Sequence, residues 1–234
     1  MSAVIVVAAG VVLLNLYALT LVVLRAPVYR TRLYRPMVWN IVLSIAPSVV
    51  LAIVMTGLVL VTLVGSPVLL WAMIFSGSVA WLLILPNSAY LITELNFSHR
   101  KPGEEVPFWY DIVLVLALAL SGVLNTLLNL LLVQVFYVAV KYPNAANPLT
   151  RSDSWIVVAI VLALVSLGMY LGRYLRFNSW DVFHPSSFWG KLTGHFRQRR
   201  ARREALGFCV THTVLLGILY TVVIAPTVSF IMTS

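Results

Sequence analysis

A chain with a single cysteine, Cys209, has no partner with which to form an internal disulfide, so a framework of intrachain bridges is excluded and the fold must be held by packing. Charge is scarce too. Only 10% of the 234 residues are charged, well under the roughly 25% of an average soluble domain. Acidic residues number seven against 16 Lys and Arg, giving a net charge of +9. Several chemical signatures are missing from the string as well: it has no Gly-rich phosphate loop, no nucleophile elbow, no dinucleotide fingerprint, and no H-E-x-x-H or C-x-x-C spacing for a metal. Nor does it hold a low-complexity tract, an evident internal repeat or a soluble domain.

What is present is apolar: 61% of the residues are hydrophobic. A helix needs about 20 apolar residues to cross the hydrocarbon core, and six stretches qualify, approximately 3–24, 37–64, 68–93, 110–140, 155–175 and 206–232. The expected fold is therefore an all-α polytopic membrane helix bundle of six spans in one domain, 1–234. The first stretch has no basic n-region and runs full length to Arg25, so it reads as a retained span and not a cleaved leader.

Basic residues in short loops favour the cytoplasm. Arg25, Arg30, Arg32 and Arg35 follow span one, Arg100 and Lys101 follow span three, and Arg173, Arg176, Lys191, Arg197, Arg199, Arg200, Arg202 and Arg203 follow or end span five. Fourteen of the 16 basic residues thus share one side, which places both termini outside. This asymmetry accounts for the charge without a nucleic-acid partner. The dense run RQRRARRE at 197–204 reads in the same way, with an anionic-lipid patch as the alternative.

Polar groups gather at the cytoplasmic ends of the spans. In WLLILPNSAYLITELNFSH, residues 81–99, Pro86 frees the Leu82 carbonyl and predicts a kink before Asn87; helical spacing then puts Asn87, Tyr90 and Glu94 on one face. Asp111 opens span four, where an acid caps amides and opposes the helix dipole, and Gly122, Asn125 and Asn129 extend a polar seam behind it. Asn40, Ser44 and Pro47 add to it from span two. LGRYLRFNSWDVF, residues 171–183, brings Arg173, Arg176, Asn178, Trp180 and Asp181, and span six adds His212 and Tyr220. Because alternate spans run in opposite directions, Asn87, Tyr90, Glu94, Asp111, Arg173, Arg176, Asn178, Trp180, Asp181 and His212 fall in one layer and are the candidate ligand-binding residues. Ion pairing of Glu94 or Asp111 with Arg173 or Arg176 is the expected way to hold such charges near lipid. The same groups also fit a purely structural role, in which interhelical pairs and the Gly168–Gly172 small-xxx-small spacing fix packing. No catalytic residue, cofactor or metal ligand is identified.

WLLILPNSAYLITEL (81–95), WYD (109–111) and GMYLGRYLRFNSWDV (168–182) together resemble the bacterial domain of unknown function 1361 family of predicted membrane proteins. The family pattern more often has Asp at the position of Glu94 and P-N-A-P-Y where this chain reads PNSAY. The resemblance implies a multi-pass fold in a bacterial inner membrane and a shared polar site, but no reaction. From the residues, the leading expectation is binding or transport of an anionic lipid or small anionic solute at a cytoplasm-facing site, since the arginine fork matches phosphate and carboxylate at two points. Its rivals are a membrane-embedded enzyme, with Glu94, Asp111 or Asp181 as base, and a structural or assembly subunit. The lipid bilayer is the one partner implied; protein partners remain open.

Overall fold

A computed structural model describes residues 3–92, 100, 103–145, 147–175 and 185–233. Among these the chain is helical, and six helices are long and apolar enough to cross a membrane. The elements are α1 (Ala3–Val28), α2 (Arg35–Val64), α3 (Pro67–Ile84), α4 (Pro86–Ala89), α5 (Phe108–Lys141), α6 (Ser152–Tyr174), α7 (Pro185–Phe196) and α8 (Arg199–Thr233). The protein is a multi-pass membrane helix bundle.

Local chemistry sets the ends of these helices. Gly65, at φ 71°, stops α2 by donating its N–H to the Val61 and Thr62 carbonyls; Ser66 then accepts from the Leu69 N–H and Pro67 starts α3. Glycine tolerates the left-handed cap, and proline at the first helical position forfeits a donor that had no partner there. Helices α2 and α3 are thereby tied into a tight antiparallel pair. At the other end of the molecule α1 stops in a similar turn with Arg30 at φ 53°, where the Thr31 N–H reaches back to the Ala26 carbonyl at 3.1 Å.

Proline acts differently from span to span. Helices α1, α2 and α8 run on through Pro27, Pro47 and Pro226, whereas the third span breaks at Pro86. There α3 closes on a Leu85 N–H bond to Trp81, α4 lasts one turn, and residues 90–92 tighten into a 3-10 turn. The kink expected from Pro86 is thus present. The uniform α-helical spacing assumed for Asn87 and Tyr90 is not, because the tighter turn changes the angle between successive side chains.

Helix α5 is the hub, touching α1, α2, α4, α6 and α8. Its 34 residues extend about 50 Å at 1.5 Å per residue, longer than the hydrocarbon core, so both ends reach the headgroup zone. Unlike the other spans it is buried over most of its apolar length. Near its start, Leu114, Val115 and Leu118 pack with Ala18 and Val22 of α1 and Ile41 of α2. Farther along, Leu127, Leu130 and Leu131 pack with Trp81, Val165, Met169 and Leu216.

One expected boundary moves. Helix α8 starts at Arg199, not near 206, because arginine, alanine and glutamate are good helix formers and Arg200 pairs with Glu204 one turn on at 2.9 Å. The segment before it contains α7, docked where the Tyr170 hydroxyl meets His195 Nε2 at 2.8 Å.

Candidate functional site

The ends of α1, α2, α5, α6 and α8 that carry most of the basic residues form the basic end of the bundle. Here Asp111 has no exposed surface, and Arg25, at the end of α1, is 5% exposed. Arg25 grips the carboxylate at two points, Nε to Oδ1 at 2.9 Å and Nη2 to Oδ2 at 3.4 Å, and its Nη2 also meets Glu104 Oε2 at 2.7 Å. Arg100 approaches Asp111 Oδ2 at 3.0 Å and donates to the Val106 carbonyl at 3.1 Å. Among the described residues two guanidinium groups thus face two carboxylates, the arrangement that makes buried charge tolerable.

The expected ion pair of Glu94 or Asp111 with Arg173 or Arg176 falls partly outside the described residues, where Glu94 and Arg176 lie; within them Asp111 meets Arg25 and Arg100, and no hydrogen bond or ion pair joins it to Arg173. Helix packing is the reason. Val11, Asn15, Ala18, Val22 and Arg25 recur at helical spacing along the buried face of α1, and that face lies on α5. The one amide of the first span, ten residues before Arg25, was the available signal: Asn15 and Arg25 share a stripe. In the sequence Arg25 and Arg100 read only as loop charge, and Glu104 does not stand out.

The same face of α5 holds the polar seam. Asn125 exchanges hydrogen bonds with Asn15, at 2.8 and 3.1 Å, and donates to Ser44 Oγ at 2.8 Å; Ser44 and Ser88 each donate to the other's carbonyl. Asn129 accepts from the Trp81 indole at 2.9 Å and donates to Ser48 Oγ and the Asn125 carbonyl. At the far end, Tyr220 donates to Gln134 Oε1 at 2.5 Å, and Gln134 Nε2 donates to Ser154 Oγ.

Two of the sequence motifs interlock. The Tyr90 hydroxyl donates to the Gly168 carbonyl at 3.1 Å, and a Cβ built on Gly172 would lie 1.7 Å from that oxygen. A Cβ on Gly168 would come within 2.3 Å of the Pro86 ring, and one on Gly122 within 2.7 Å of the Ser88 carbonyl. Glycines on α5 and α6 therefore make room for the broken third span from two sides. Asn87, in α4, is half-buried.

Arg173 follows this notch on α6, exposed and with no ion-pair or hydrogen-bond partner among the described residues. His212 is engaged locally on α8: Nδ1 donates to the Phe208 carbonyl at 2.9 Å and the ring stacks on Phe208 at 3.8 Å. No hydrogen bond or ion pair joins it to Asp111 or Arg173. Of the expected layer, then, Tyr90 reaches the glycines that precede Arg173, Asp111 belongs to a neighbouring ion cluster, and His212 packs within its own helix. Glu94, Arg176, Asn178, Trp180 and Asp181 lie outside the described residues.

Two cavities accompany these groups. An apolar one of about 220 Å³ lies between α2, α3, α5 and α6, beside Met55, Trp81 and Phe136. A polar cleft of about 470 Å³ opens at the basic end, between the turn after α1 and residues 103–105. Among the described residues no group of three or more His, Cys, Asp or Glu converges as a metal site.

Neither a curated protein nor a solved structure matches the chain. The family model described as "Protein of unknown function (DUF1361)" matches residues 39–219, more than half of the chain, and the protein belongs to that family.

Proposed function

We propose that this membrane protein binds an anionic lipid or small anionic solute at the basic end of its bundle, which faces the cytoplasm of a bacterial inner membrane, and that transport of that ligand is the process it serves. One observation carries the reading. The buried acid Asp111 is already balanced by Arg25 and Arg100, so exposed Arg173 is not consumed as its counter-ion. The exposed Arg173 guanidinium, without an ion-pair or hydrogen-bond partner among the described residues, offers the planar two-point fork that phosphate and carboxylate accept. Arg176, Asn178, Trp180 and Asp181 follow it in sequence and complete the proposed site, with Asn87, Glu94 and His212 at its margin.

A second reading, a scaffold or assembly subunit, is favoured by the amide and hydroxyl seam of α5, where Asn125 and Asn129 spend their hydrogen bonds on neighbouring helices. The two readings separate at Arg173. Arg173→Ala and Arg173→Lys, together with Arg176→Lys, are expected to insert at near-normal levels. Native mass spectrometry of the purified proteins with phosphatidylglycerol is expected to show retention lowered about tenfold in Arg173→Ala, a loss of about 1.4 kcal/mol. At least one lysine variant should also weaken binding, since an ammonium keeps the charge but not the fork. Undiminished retention in all three would remove these arginines as ligand contacts and leave the scaffold reading.

A further inference from the structure

The polar cleft at the basic end has walls of opposite sign. Arg30 and Arg32 stand on the turn after α1, Glu104 and Glu105 on the opposing segment. Arg30, Arg32 and Glu105 are exposed, while Glu104 is anchored from behind by Arg25 at 2.7 Å. The turn itself is fixed: the Thr31 N–H bonds the Ala26 carbonyl at 3.1 Å, and the Thr31 hydroxyl bonds the Arg25 carbonyl at 3.2 Å.

Within that turn Arg30 holds φ 53°, the left-handed helix cap for which glycine is the favoured residue. Its exposed side chain offers no core packing in return. A local preference broken at a charged residue on the rim of a cleft is a pointer to function. The surroundings indicate depth: Trp39, Phe108 and Trp109, at the starts of α2 and α5, are each about 60% exposed, as aromatic rings at the membrane–water interface are. An occupant of the cleft therefore lies among lipid headgroups.

We propose that this cleft binds the headgroup of a zwitterionic phospholipid carrying a primary amine, with the phosphate on Arg30 and Arg32 and the ammonium on Glu105. An anionic headgroup without an amine would satisfy the arginines and leave the exposed Glu105 carboxylate facing an anion. A quaternary ammonium has no N–H to donate to that carboxylate and is normally held by several aromatic faces. Among the described residues lining this cleft only Tyr29 is aromatic, and its ring is engaged edge-on with Tyr110 at 5.0 Å. A primary ammonium has three donors to offer the exposed Glu105 carboxylate. The assignment does not depend on Arg173.

Arg30→Gly is the informative variant, since glycine relaxes the backbone at φ 53° while deleting the guanidinium, so loss of folding does not confound it. Purified protein is incubated with equal amounts of phosphatidylethanolamine, phosphatidylcholine and phosphatidylglycerol, and retained lipid is read by native mass spectrometry. The wild type is expected to retain phosphatidylethanolamine about tenfold over either competitor. Arg30→Gly should keep its stability and lose that preference, Glu105→Gln should shift it toward phosphatidylglycerol, and Arg173→Ala should leave it intact. Equal retention of the three lipids by the wild type, or an unchanged preference in folded Arg30→Gly, overturns the proposal. Displacement by soluble phosphoethanolamine at matching concentration would overturn the assignment to a lipid.

Discussion

At the level of single residues, burial makes Arg25 matter far more than its place in a basic loop suggests. Removing it leaves Asp111 fully buried with less compensation, the kind of change that costs about 3–5 kcal/mol. We predict that Arg25→Met lowers the unfolding midpoint in detergent by that order, and that Arg25→Met with Asp111→Leu costs less than the sum of the two single changes, because neither charge is then left stranded. A double-mutant cycle on thermal unfolding checks this; strict additivity would mean the two groups do not couple. Arg30 gives the opposite sign. Replacing it by glycine should stabilise the turn after α1 by about 1 kcal/mol, the scale of the left-handed penalty for a residue with a Cβ. The motif reading had the types of these residues but not their partners: Asp111 was visible as a helix-opening acid, whereas its described cations come from chain positions 86 residues before and 11 before it.

Between elements, the decisive contacts are close approaches of backbone. Gly168 faces the rigid Pro86 ring and Gly172 the hydroxyl tip of the Tyr90 side chain. Gly168→Ala is therefore expected to cost more, about 1–3 kcal/mol of overpacking, than Gly172→Ala, which sacrifices mainly the Tyr90–Gly168 hydrogen bond, about 1 kcal/mol. Gly207 on α8 has nothing within 4 Å of an added Cβ, so Gly207→Ala should stabilise its helix by about 0.5–1 kcal/mol. Thermal melts of the three variants rank them; equal losses at 168 and 172 would show that the third span yields as freely at Pro86 as at Tyr90. The small-xxx-small pair was readable in the sequence as a packing signal. Its partner was not, since only the break at Pro86 turns that ring and the following tyrosine onto α6.

For the whole molecule, six helices able to cross a membrane would return the chain to the side on which it began, and we propose that the one-sided arginines set which side that is. We predict that reporter fusions at Ser234 read as external and fusions near residue 102 as cytoplasmic. A cytoplasmic C-terminus would reverse the proposed orientation and put the basic end, with its cleft, on the outer face. The opposite end of the bundle has a clasp of its own: Lys141 meets Asp153 at 2.9 Å and the Tyr137 hydroxyl at 2.7 Å, Tyr142 donates to the same carboxylate, and Arg151 lies over the Tyr142 ring.

Membrane residence, helical class and number of spans followed from composition and run length alone, because hydrocarbon forces every backbone polar group to be satisfied within a helix and sets how many apolar residues that takes. Proline and glycine punctuation likewise foretold the break at Pro86. Which side chains meet was decided only by packing. Lipid supplies little hydrophobic bias between helices, so neighbours are selected by shape and by interhelical hydrogen bonds. That selection laid the Asn15–Arg25 stripe of α1 on α5, gave Asp111 to Arg25 and Arg100, left Arg173 exposed, and opened a cleft of mixed charge between loops 75 residues apart in the chain, from Arg30 to Glu105.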